Sequence, residues 1–128
     1  MFNVDGMNIT LSVGDTGSVK FATSGYTFTA NDAILFTVKD ASNGIVFEKV
    51  FTNKTGISNV DPIENDGTFT VYFHNDDTDS RSAGSYTWDV RFVLGAYFNE
   101  AGKLTDGDQV ITPVEPQVLT LLPVVGNV

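Results

Sequence analysis

The sequence predicts an all-β domain, an antiparallel sandwich of about seven to eight short strands. Three observations predict it. Apolar and polar residues alternate with period two in successive short stretches, Phe, Val, Thr and Tyr are used heavily in those stretches, and Gly, Asn and Asp punctuate them. The clearest stretch is Gly84-Ser85-Tyr86-Thr87-Trp88-Asp89-Val90-Arg91-Phe92-Val93, which holds the single tryptophan. Tyr86, Trp88, Val90 and Phe92 fall on one side of an extended chain, and Ser85, Thr87, Asp89 and Arg91 on the other. Each aromatic carries roughly 150–250 Å² of surface, too much to leave in water, so another layer must cover that side.

The strands follow in order. Ile9, Leu11 and Val13 alternate with Asn8, Thr10 and Ser12, and Gly14-Asp15-Thr16-Gly17 then turns the chain. Val19 and Phe21 alternate with Ser18, Lys20 and Ala22, up to the polar Thr23-Ser24-Gly25. Residues 26–32 form a loop in which Tyr26 and Phe28 cap the core. Residues 33–39 form a strand with Ile34, Phe36 and Val38 on one face. Asn43-Gly44 supplies the positive φ of a tight hairpin, so residues 45–52 return antiparallel. Residues 53–66 are a long polar connection with a short extended piece at 57–60. Residues 68–74 point Phe69, Val71 and Phe73 inward, and residues 75–83 make a turn or one helical turn. The central strand from Gly84 runs to about Ala96, and a turn-rich excursion follows over residues 99–108. Pro113 and Pro116 interrupt the next extended stretch, because proline cannot donate to a central ladder. Residues 118–125 supply a last strand that is apolar on both faces apart from Thr120, which implies burial between layers or cover by a neighbouring subunit.

At 128 residues the chain fits one domain with one core. Residues 8–128 are assigned to that domain, and residues 1–7 to a flexible leader. Sixteen acidic against seven basic residues leave a formal charge of −9, which disfavours nucleic acid and anionic membranes as partners. The absence of cysteine removes disulfides and thiolate metal sites. No basic and apolar export leader opens the chain, and no apolar run reaches the roughly 18–20 residues of a membrane span. The expected place of synthesis and action is therefore the cytoplasm.

Chemistry is sparsely signalled. Asn75, Asp77 and Asp79 have the spacing of the first half of a calcium loop, and Asp77 and Asp79 are the weak metal candidates. Ser80 stands where the turn glycine belongs and Tyr86 where a bidentate Glu belongs, which favours an acidic turn that caps a short helix. Asp106, Asp108, Asn99 and Glu100 make a second acidic region, with the same preferred reading. His74, the single histidine, has no nucleophile-elbow serine near it. Glu48, Glu64 and Glu100 offer no defined glycosidase pair. Asp15-Thr16-Gly17 occurs once, whereas an aspartic protease needs two such carboxylates. Tyr26, Phe28, Tyr97 and Phe98 could present a sugar platform, but core rims or subunit contacts account for them better. No catalytic residue and no cofactor are expected.

The ordered set of phrases resembles a family. Ile9-Thr10-Leu11-Ser12-Val13-Gly14-Asp15-Thr16 running to Phe21, then Ala33 to Asp40, then Asp77-Thr78 leading to Gly84-Ser85-Tyr86-Thr87-Trp88-Asp89-Val90, and the closing Gln109 to Pro113 and Gln117 to Leu121 are similar to phage and prophage structural proteins of the baseplate upper protein N-terminal domain type. The chain departs from that pattern at Ser80-Arg81-Ser82, where relatives carry Leu, and no receptor-binding region follows residue 128. The resemblance implies an immunoglobulin-like sandwich in a virion, assembled in the bacterial host cytoplasm, with other virion proteins as partners and homo-oligomers as a further mode of contact. The expected partner-binding residues are Val118, Leu119, Leu121 and Leu122 on the last strand, and Asp89 and Arg91 on the outward face of the central one. The second reading is a carbohydrate-binding or adhesion module assisted by calcium.

Overall fold

The computed structural model describes residues 1–23 and 26–124. Its elements are β1 (Phe2–Asp5), β2 (Asn8–Ser12), β3 (Gly17–Ala22), β4 (Ala33–Lys39), β5 (Ile45–Thr52), β6 (Thr68–Phe73), α1 (Asn75–Thr78), β7 (Gly84–Phe98) and β8 (Leu104–Leu122). The fold is all-β. One six-stranded sheet has the order β1-β2-β8-β7-β4-β5, and β3 and β6 form a separate two-stranded sheet. The expected strand ends at Ser24-Gly25 and Val125 lie outside the described residues.

Two expectations are corrected. The large sheet is mixed rather than antiparallel, because β2 runs parallel to β8, with Ile9 opposite Leu119 and Leu11 opposite Leu121. That pairing puts four apolar side chains on the same buried face, which an antiparallel register over these short segments is not needed to achieve. Residues 1–7 are also more than a leader. Phe2 to Asp5 form β1, which pairs antiparallel with β2 through a turn at Gly6, where φ is +61°. Phe2 anchors that strand: its ring packs against Phe73, with centroids 5.5 Å apart, and lies over Gly17, where any Cβ would overlap it. The glycine that looked like turn punctuation leaves room for an aromatic ring.

The two sheets are joined by aromatic packing rather than by strand pairing. Trp88 on β7, 1% exposed, stacks on Phe36 of β4 at 5.4 Å and meets Phe21 of β3 at 5.5 Å. Phe69 of β6 packs on Phe51 of β5 at 5.0 Å, and Phe73 stands edge-on to Phe36 and Phe47. The Trp88 indole donates to the Met7 carbonyl at 3.2 Å, which ties the β1–β2 turn to the same core. Tyr26 and Phe28 close one end, each edge-on to Phe92. Substituting Trp88→Ala should cost about 3–5 kcal/mol, a large part of the roughly 5–15 kcal/mol available to such a domain. Urea unfolding followed by circular dichroism measures it, and a loss below about 1 kcal/mol would place the core elsewhere.

Candidate functional site

The β7–β8 ribbon is the most unusual part of the molecule. β7 has 15 residues and β8 has 19, whereas β4 pairs with β7 only from Thr87 to Val93, and β2 pairs with β8 only from Leu119 to Leu122. The ribbon therefore runs beyond its neighbours on both sides. Pro113 and Pro116 do not interrupt β8, as the sequence suggested they would. Between Gln117 and Val114, and again between Val114 and Ile111, β8 spends one residue more than β7, so each proline sits in a bulge.

Where the ribbon leaves the body it is clasped by the turn before β4. The Gly95 amide donates to Asp32 Oδ1 at 3.0 Å, and the Thr29 amide donates to Asp32 Oδ2 at 2.8 Å. The Ala96 amide donates to the Asn31 carbonyl at 2.6 Å, and Thr52 Oγ1 donates to the Asp32 carbonyl at 2.8 Å. Gly95 takes a φ of +61°, and a Cβ there would run into the Asp108 carboxylate. The bend brings Ala33, Val93 and Ala96 together with Phe98 and Leu104 as a small second cluster. Next to it a groove of about 210 Å³ is lined by Leu35, Val50, Arg91, Lys103 and Val110, among others.

Beyond the clasp, residues 104–112 of β8 show a bare edge. Among the described residues no backbone group of this stretch bonds to any strand but β7. The other long edge is guarded. On β5 the Thr52 amide donates to the Asp61 carbonyl at 2.9 Å, the Val50 carbonyl accepts from Asp61 at 3.1 Å, and Arg81 donates to the Val46 carbonyl at 3.2 Å. Val110 on β8 is 52% exposed, and Tyr97 on β7, opposite Asp106, is 54% exposed. Tyr97 donates its hydroxyl to Asp108, and that bond and the carboxylate charge hold the phenol above its ordinary value.

The expected partner residues separate. Leu119 and Leu121 are 0% and 2% exposed, opposite Ile9 and Leu11, so they build the core and offer no surface. Val118 is exposed and Leu122 half-buried, so only the Leu119 and Leu121 face of this strand is closed over. Asp89 is buried rather than solvent-facing. It lies opposite Thr37, which lies opposite Glu48, to which it donates at 3.4 Å. Arg91 stands 4.0 Å from Asp89 Oδ2, and Oδ1 of Asp89 has no hydrogen-bond partner among the described residues. Arg91 is half-buried at the edge of the groove.

The calcium candidates are engaged in other work. Asp77 pairs with Lys49 at 2.8 Å and accepts from the His74 amide at 2.8 Å, which caps α1, and Asp79 closes the end of that turn. Thr78 and Asn75 bind Gly14 through its amide and carbonyl at 2.9 Å each, so the acidic turn docks the β2–β3 connection. Among the described residues no group of three acidic, His or Cys side chains is arranged to hold a metal ion. Asp66 is held below the usual carboxylate range by Thr68, whose hydroxyl and amide donate to it at 2.7 and 3.1 Å. Tyr26 and Phe28 stack together, far along the chain from Tyr97 and Phe98, which point to opposite sides of the ribbon. No family model, no curated protein and no solved structure matches this chain.

Two measurements check this assignment. Calcium at millimolar concentration should leave the thermal midpoint unchanged, whereas Lys49→Ala should cost about 1–3 kcal/mol, because it strands a largely buried Asp77. A calcium-dependent rise in the midpoint would reassign the turn. In an absorbance titration one phenol should ionise above the ordinary tyrosine value of 10.0, and Tyr97→Phe should remove that component. The stabilisation from neutral Tyr97 is complete below the unfolded value and is lost as pH rises through the raised one.

Proposed function

We propose that this chain is a non-enzymatic assembly subunit that works through protein–protein contacts, in a phage or prophage particle as a tail, baseplate or fibre-associated component. The observation that supports it is the bare edge of residues 104–112, which lies past the Asp32 clasp, while the β5 edge is guarded. An open edge is a template for a partner strand, and soluble domains ordinarily cover or blunt such edges. The resemblance of residues 9–21, 33–40 and 77–90 to baseplate-associated proteins supports the virion setting. An immunoglobulin-like arrangement is part of the same reading: it draws support from the two packed layers, while the parallel β2–β8 pair departs from it.

Mass spectrometry of particles purified from the strain that encodes the chain tests the proposal. The chain should be present in fixed ratio to the other particle proteins, and its absence from intact particles would reject the virion setting.

A further inference from the structure

We infer that the β8 edge receives an extended, cationic segment of a partner protein, which adds to the large sheet as a further strand. The inference rests on the assembly reading above and adds the chemistry of the partner.

Two independent observations carry it. The first is geometric: residues 104–112 present unpaired main chain for a length of about 30 Å, at roughly 3.3 Å per residue, enough for a partner strand of about eight residues. One bulge lies at the start of the stretch, between Leu104 and Asp106, and the stretch ends at Pro113, where the next bulge and the cleft formed with Phe21, Thr23 and Tyr26 begin, so the added strand has a defined stop. The second is electrostatic. β8 carries Asp106, Asp108 and Glu115, all exposed, and no basic residue along its whole length. The nearest bases, Lys103 at the ribbon tip and Arg91 on β7, lie in the groove with Glu48 and Asp106 as acidic neighbours. The chain as a whole carries −9, so an anionic strand, including a second copy of β8, would be repelled, while lysine or arginine side chains would meet carboxylates. Val110, exposed on β8 between Asp108 and Glu115, gives the incoming strand an apolar contact.

The probe is a dye-labelled eight-residue peptide that alternates valine with lysine. Its controls are the same peptide with proline in place of alternate valines, which keeps the charge but cannot join a ladder, and a glutamate-for-lysine version. Fluorescence anisotropy on the full chain should show binding of the valine–lysine peptide only. Hydrogen exchange should slow in residues 104–112. The variant Asp106→Lys should weaken binding by about tenfold or more, with an unchanged circular dichroism spectrum. Equal binding of the proline peptide would reduce the effect to charge attraction and overturn the inference, as would no binding. Protection on β1 or β5 instead would also overturn it while leaving the assembly reading standing. That reading falls separately, if the chain is missing from purified particles.

Discussion

The structure depends on apolar contact between two sheets that, among the described residues, share no strand pairing. β3 and β6 pair only with each other, so the second layer is held to the first by Trp88, Phe36 and Phe21 at its centre, and by Phe69 and Phe73 toward β5. Such contacts are non-directional and scale with buried area. Specificity comes from shape: the ring of Phe2 fits only because position 17 has no side chain, and the indole N–H finds one carbonyl, that of Met7. With no cysteine in the chain, nothing covalent reinforces this packing.

Much of this was legible in the alternation of residues. β4 and β5 begin and end where periodicity and Asn43-Gly44 put them, and the inward set Tyr86, Trp88, Val90 and Phe92 is buried. Periodicity names the face of a strand but not its neighbour, so it gave no hint that β2 lies parallel to β8, or that Leu119 and Leu121 pack against Ile9 and Leu11 while Val118 stays exposed. The same limit hid β1, whose few residues alternate too briefly to show a pattern until Phe2 meets Phe73. Asp89 was misplaced for a related reason. Its alternation is correct, yet the outward face of a central strand is covered by flanking side chains, and an outward residue there is not a solvent-facing one.

The candidate site was less legible. The acidic residues of 106–108 and the turn residues of 99–103 were visible, but their composition reads as loop, because Asp and Gly are poor strand formers. What makes them a strand is pairing with β7, and what makes that strand notable is the absence of a second neighbour. Neither is a property of any residue. Gly95 and Asp32 carried no signal either: the clasp joins residues far apart in sequence, one of them a glycine inside a strand, where sequence alone suggests a bulge or a close approach without saying to what.

The parallel pairing of β2 with β8 has a consequence in time as well as in space. Residues 9–12 settle against residues 119–122, so one strand must wait for another made more than a hundred residues later. Until β8 arrives, Ile9 and Leu11 lack the wall that buries them, and the aromatic core stays open on that side. Long-range pairings of this kind pay their loop-closure entropy before any contact rewards them, which slows folding and makes it cooperative. A chain stalled before residue 119 would carry an exposed apolar strand and an incomplete sheet, the species that chaperones and proteases recognise.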